Sequence, residues 1–270
     1  MTPTASPVPG VAYLLQDNPG PMTLDGTHSY LLRGTTGLIV VDPGDDDAAH
    51  QGALSALGPI ALLIVTHRHH DHVGGLKRLR GLSGAPSRGL AAEFSVGAPV
   101  LHPGERLRLD PAGIPGAPDA VRVLPTPGHT SDSVSLVLER GGVAIGVLTG
   151  DTILGRGTTI LDHPDGRLED YLEALASLRA LGPVPALPAH GGFPGPVDAL
   201  AAGYLSHRLA RLEQVRAAVT ALHDAGCAPS VEAVTDVVYA DVDASVRSAA
   251  ERTVAAQLAL VAGRGELPAA

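Results

Sequence analysis

The chain has 270 residues, 44% of them hydrophobic, enough for one large domain or two unequal ones around a real core. Its formal net charge of −9, with Lys77 the one lysine among nineteen basic residues, argues against a general nucleic-acid binder, which needs a basic footprint. The single cysteine, Cys227, excludes an internal disulfide and fits a reducing compartment.

Residues 1–10 read as a Pro-rich, loose lead-in. Val11–Leu15, Ser29–Arg33 and Leu38–Val41 read as three strands, the last two joined across Gly34–Gly37. Asp42 ends the third strand and is expected to tie down a neighbouring loop by hydrogen bonds. Asp45, Asp46 and Asp47 suit a solvated helix start, with a short helix over residues 48–58. Ala61–Val65 is a buried strand, and residues 74–80 continue as a helix. Residues 81–118 are rich in Gly and Pro, with short strands at best around Ala98–Leu101 and Arg106–Leu107. Val121–Leu124, Ser133–Leu138 and Val143–Leu148 read as strands, the last pair turning at Gly141-Gly142. Leu168, Tyr171, Leu172, Leu175 and Leu178 mark one face of an amphipathic helix. Val184–Leu187 is a short strand. From Val197 the character becomes helical: one helix over 197–224, one capped by Ser230 and one capped by Asp243. Gly263–Leu267 is placed as the start of a small wing.

Between the fourth strand and its helix lies Thr66-His67-Arg68-His69-His70-Asp71-His72. Imidazole and carboxylate are ligands for Zn²⁺ and similar divalent ions. His67 and His69, two apart in extended chain, can point the same way, and Asp71 and His72 can then turn toward a second point. His70 sits at a spacer position and is expected to be exposed.

The pattern His67-x-His69-x-Asp71-His72 resembles the signature of the metallo-β-lactamase-fold hydrolases. That resemblance implies three further ligands at later loop ends, and this chain offers His129 in Thr126-Pro127-Gly128-His129, Asp151 in Thr149-Gly150-Asp151 and His190 in Pro188-Ala189-His190. It implies an αββα sandwich of two mixed sheets over residues 1–196, with a small helical, winged-helix-like domain over 197–270. It also implies two divalent ions, zinc first, with manganese or iron as alternatives. His67, His69 and His129 would hold one ion, Asp71, His72 and His190 the other, and Asp151 would bridge them. A hydroxide between the ions would attack the substrate, with Asp71 and Asp151 as the catalytic carboxylates. The stretch from Gly150 through Thr158 and Thr159, the Asp170-Tyr171 helix and Tyr204-Leu205-Ser206-His207-Arg208 is similar to the β-lactamase-like-protein-2 subfamily. Thr158, Thr159 and His28, which stands where the relatives would carry Asn, are candidate substrate contacts. His207 and Arg208 are expected to pack the tail onto the main domain. His50, His102, His163 and His223 read as surface residues, and Cys227 as a small apolar filler.

The subfamily contains single-strand endoribonucleases, so cleavage of single-stranded RNA is the first substrate reading. Against it stand the acidic charge and a tail from Ala201 with six arginines and eight acids. The second is a small ester, thioester or lactone, as in glyoxalase II-like and thioesterase-like members, with the tail roofing the pocket or forming a homodimer interface. A non-catalytic, metal-bound regulatory protein is the remote third. A closed apolar pocket under residues 155–165 and the tail would favour the acyl substrate. The absence of a signal-like or membrane-spanning stretch predicts a cytoplasmic protein with no membrane partner. The abundance of Ala, Gly, Pro and Arg suggests a GC-rich bacterial genome.

Overall fold

A computed structural model of the chain describes residues 2–241 and 243–266. The first sheet has six strands in sequence order: β1 (Thr4–Ala5), β2 (Ala12–Leu15), β3 (His28–Arg33), β4 (Leu38–Val41), β5 (Ile60–Ile64) and β6 (Ser87–Arg88). β1 to β4 pair antiparallel, and β4, β5 and β6 pair parallel, so the sheet is mixed. The second sheet runs β11 (Ala186–Pro188), β10 (Val143–Gly150), β9 (Val134–Arg140), β8 (Ala120–Pro125), β7 (Arg106–Arg108). Its β10–β11 pair is parallel and the rest antiparallel.

Alternation along each strand sorts the side chains into layers. Tyr30 and Leu32 of β3, Ile39 and Val41 of β4 and Ile64 of β5 meet Val121, Val123, Leu136, Leu138 and Leu148 of the second sheet. Their neighbours Leu31, Val40 and Leu63 face the other way, onto Leu54 of α1 (Ala48–Ser55) and Leu76 and Leu79 of α3 (Leu76–Ser83). Val137 and Val147 face outward from the second sheet onto α4 (Leu168–Arg179) and the C-terminal helices α5 (Val197–Asp224) and α7 (Arg247–Gly263). Each such buried Leu or Val contributes about 1.5–3 kcal/mol through its removal from water. The result is the expected αββα sandwich. Tyr204, Leu212, Ala256 and Val261 join the helix layer of the second sheet, so the C-terminal helices share a core with the body. A separate cluster of Val215, Ala218, Val219, Val234 and Val254 joins α5 and α7 to α6 (Val231–Val238), whose Ser230 cap accepts from the Ala233 amide.

Four local expectations fail for identifiable reasons. Residues 2–10 are not loose: β1 pairs with β2 and Val8 is buried in the inter-sheet core, while Met1 lies outside the described residues. Ala98–Leu101 is no strand, because Pro99 has no amide hydrogen to donate and the carbonyls of Pro99 and Val100 accept from the Arg88 guanidinium. Asp243 caps a short 3₁₀ turn, Ala244–Val246, and α7 begins after it. The wing has no strand among the described residues: α7 runs through Gly263, and Leu267 lies outside them.

Candidate metal centre

The loops that follow β5, β8, β10 and β11 converge at one edge of the sandwich. After β5 the chain passes Thr66 and His67 and makes one helical turn, α2 (His70–Val73), which carries Asp71 and His72. Two glycines let the other loops close in. Gly128, at φ +129°, packs so tightly on α4 that a Cβ would lie 2.4 Å from Tyr171 Cα, and it sets His129 beside that helix. Gly150, at φ +51°, turns β10 under Thr66 and delivers Asp151.

All seven predicted ligand residues meet there. His129 Nε2 lies 2.9 Å from His69 Nδ1 and 3.2 Å from His67 Nε2, and His67 Nε2 lies 3.1 Å from His69 Nδ1. In the second group His72 Nε2 and His190 Nε2 are 3.2 Å apart, and Asp71 Oδ2 lies 3.1 Å from His190 Nε2. These spacings are close to the edge of a tetrahedron of ligands, about 3.3 Å for metal–nitrogen bonds of about 2.0 Å. Asp151 stands between the groups: Oδ2 is 3.7 Å from His129 and 4.0 Å from His67, while Oδ1 is 3.5 Å from His72 and 3.3 Å from His190. Asp151 Oδ1 is buried and has no hydrogen-bond partner among the described residues, which is costly for a carboxylate oxygen unless a cation meets it.

Each imidazole turns its other nitrogen to an acceptor. His67 Nδ1 faces Thr66 Oγ1 at 3.1 Å, and His69 Nε2 faces Asp162 Oδ2 at 3.1 Å. His129 Nδ1 donates to the Ile160 carbonyl at 2.8 Å, with Thr159 Oγ1 at 3.2 Å. His72 Nδ1 donates to Asp42 Oδ2 at 2.9 Å, and His190 Nδ1 to the Gly26 carbonyl at 3.2 Å. A proton held on the outer nitrogen leaves the inner lone pair facing the cluster, the arrangement a metal-binding imidazole requires. This donor set therefore fits divalent ions.

Asp42 has the predicted anchoring role. Its carboxylate accepts from the Thr66 amide (2.7 Å) and hydroxyl (2.8 Å) as well as from His72, and it holds a left-handed backbone, φ +56°. Asp is among the few side chains that tolerate that conformation.

Charge is distributed unevenly. Burial holds His67 well below the ordinary imidazole range and lowers His129 to about 4, so both present neutral rings. Burial also opposes protonation of His190, but the neighbouring Asp151 and Asp71 carboxylates outweigh it and push its pKa up to about 10. His72 rises for the same kind of reason, through Asp71, Asp151 and Asp42 against burial. Burial would raise Asp71 and Asp151, yet the surrounding histidines drive both well below the usual carboxylate range. The second group thus sits in a field that attracts positive charge.

The site opens into a pocket of about 510 Å³. Its floor includes His69, Asp71, His129 and Asp151; its walls include Met22, Leu24, Leu154 and Ile160; α7 and the turn before it roof it with Val246, Ala249 and Ala250. Thr158, exposed, and Thr159, buried against His129, both line this pocket. His28 is instead buried beneath Tyr13 and Phe193, donating to the Pro188 carbonyl at 3.0 Å, and it does not line the pocket. His70 is exposed as expected. Arg208 packs the tail as expected, buried over the Tyr171 ring and donating to the Thr159 carbonyl, while half-buried His207 lines the pocket. His163 is half-buried, beside a separate cavity between α4 and α7. His102 and His223 are exposed, but His50 is fully buried against Ser29, and Cys227 is exposed and not a core filler. Sequence reasoning missed Asp162, which receives His69, Arg68 and Arg252; a lone Asp ninety-three residues from its histidine carries no local signal.

The comparisons with known proteins agree with this geometry. Residues 22–190 match the family model described as the metallo-beta-lactamase superfamily. A beta-lactamase-like protein 2 homolog from Drosophila melanogaster is 33% identical over 220 residues, 76% of this chain and 72% of that protein. An atrochrysone carboxyl ACP thioesterase from Aspergillus fumigatus is 30% identical over 188 residues, 68% of this chain and 56% of that protein. Among solved structures, a metallo-beta-lactamase family protein from Thermus thermophilus superposes with a TM-score of 0.74 at 24% identity, covering 95% of this chain and 94% of that one.

Proposed function

Because this chain belongs to the metallo-β-lactamase superfamily of hydrolases, we propose that it is a dinuclear metallohydrolase, loaded with zinc, that cleaves a small acyl thioester or ester. The observation that carries this reading is the roofed pocket. A cavity of about 510 Å³ with Met22, Leu24, Leu154, Ile160 and Val246 in its walls suits an apolar acyl group. It suits a polyanionic strand poorly, because two cations of its rim are already paired, Arg156 with Asp25 and Arg252 with Asp162. A thioesterase among the relatives supports the same substrate class.

His67, His69 and His129 would hold one ion, Asp71, His72 and His190 the other, with Asp151 shared between them. Divalent ions in such positions supply Lewis acidity and a strong nucleophile at neutral pH. The protein's own contribution is placement. The pocket walls would hold the acyl group so that its carbonyl lies over Asp71 and Asp151, with α7 covering it from one side. Asp71, on the pocket floor, accepts the proton of the attacking water and returns it to the leaving thiolate or alkoxide.

The test offers zinc-loaded protein a series of acyl thioesters of increasing chain length and, in parallel, single-stranded RNA, each repeated with Asp151→Ala. Thioester hydrolysis that vanishes in the variant supports the reading. RNA cleavage that vanishes in the variant, with every thioester untouched, would replace it by the ribonuclease reading.

A further inference from the structure

The loop of residues 154–162 lies between the C-terminal helices and the metal centre, and both sides grip it. Tyr204 of α5 donates to the Gly157 carbonyl at 2.9 Å and accepts from the Leu154 amide at 3.1 Å. Arg208, one turn on and buried, donates to the Thr159 carbonyl. From α7, Thr253 Oγ1 accepts from the Leu161 amide at 3.4 Å, and Arg252 Nη1 donates to Asp162 Oδ1 at 3.0 Å. The opposite edge of the loop meets the first ligand group: Ile160 and Thr159 at His129, Asp162 Oδ2 at His69. Two of that group's three histidines therefore take their orientation from atoms that the C-terminal helices hold. In the second group the loop meets only the His190 backbone, whose carbonyl accepts from the Gly155 amide at 2.8 Å; the rings lean elsewhere, His72 on Asp42 and His190 on the Gly26 carbonyl.

We propose that the C-terminal helices set the affinity of the first metal position through this loop, with Arg252 as a positioning residue that acts on His69 through Asp162. The proposal rests on the two-position reading above and is independent of which bond is cleaved. The geometry of Asp162 is its core. The carboxylate divides its oxygens, Oδ1 to Arg252 and Oδ2 to His69 and Arg68. Without Arg252 the carboxylate is free to turn both oxygens to Arg68, and His69 loses the acceptor that fixes its tautomer. A purely structural role fits Arg252 less well, because its side chain is 52% exposed and exposed ion pairs contribute little to stability.

The experiment uses the full chain and zinc itself, with affinity read by competition against a chromophoric chelator. Zinc per chain is counted first. Fewer than two ions in the unaltered protein would defeat the two-position reading, and this proposal with it. Arg252→Gln is then placed in two backgrounds: His190→Ala, which leaves the first group whole, and His129→Ala, which leaves the second. It should weaken zinc about tenfold in the first background and by less than about twofold in the second. Arg252→Lys, which keeps the charge, should recover most of the loss. Equal weakening in both backgrounds, or none in either, would overturn the assignment while leaving the two-position reading intact. If a background fails to fold, Arg252→Gln alone still decides: stepwise chelation should release one ion about tenfold more readily and the other as in the unaltered chain.

Discussion

The two halves of the metal centre, three histidines on one side and an Asp with two histidines on the other, stand on different supports. His72 and His190 are braced by the body of the sandwich: Asp42 stands at the end of a central strand, and the Gly26 carbonyl lies just ahead of β3. His69 and His129 are braced by a loop whose other side is gripped by α5 and α7. The first support is part of the core and forms with it. The second is held from two sides, by the body through Arg68 and the His129 and His190 carbonyls and by the C-terminal helices through Tyr204, Arg208, Arg252 and Thr253.

Asp151 is where the halves meet, so its loss should do most damage. Asp151→Ala should cut hydrolysis on the order of a thousandfold, the equivalent of the several kcal/mol that metal-based charge stabilisation supplies. It should also lower zinc content, as elemental analysis of the purified variant would detect. Asp42→Asn strikes the core-mounted half directly and reaches His67 only through the Thr66 hydroxyl. Asn keeps the left-handed turn but can present a donor where the Thr66 amide and the His72 N–H need acceptors. The expected cost is about 2 kcal/mol in urea unfolding, with the second-position ion held about tenfold more weakly.

His50 supports that half from behind. It lies against Ser29 Oγ, which donates to the Asp42 carbonyl, and burial lowers its pKa from 6.5 to about 4. The folded state therefore binds this proton less readily than the unfolded chain. The neutral ring contributes its full stability above pH 6.5 and loses it as pH falls toward 4, up to about 3 kcal/mol. Unfolding midpoints across that window should drop less steeply in His50→Gln. The smallest effect belongs to His70. Its side chain is 77% exposed, with Asp45 at 3.7 Å, and His70→Ala should leave zinc content unchanged. A large loss of zinc in that variant would mean that the ligand set is misassigned.

Much of this was legible in the sequence because the signals are local. Alternation and turn signals marked most of the strands, the resemblance supplied their arrangement in two sheets, and each of the seven candidate ligands stands in the segment that follows a strand. Asp42 was readable as an anchor because it ends a strand beside the ligand loop. What escaped depends on distant parts meeting. Asp162 gains its role from His69 and from Arg252, ninety residues further on. His50 looked like a surface helix residue, but α1 packs that face onto β3 and β4, and the Ser29 hydroxyl gives its ring a partner. His28 stood next to the site in sequence, yet pairing of β3 with β2 turns it under Tyr13 and away from the pocket.

The proposed hydrolase needs a pair of ion positions that share Asp151. Anomalous X-ray scattering at the zinc edge, on zinc-loaded crystals of the full chain, tests this directly. Two peaks are predicted, one against His67, His69 and His129 and one against Asp71, His72 and His190, both in contact with Asp151. A single peak, or a pair in which Asp151 touches only one ion, would contradict the account.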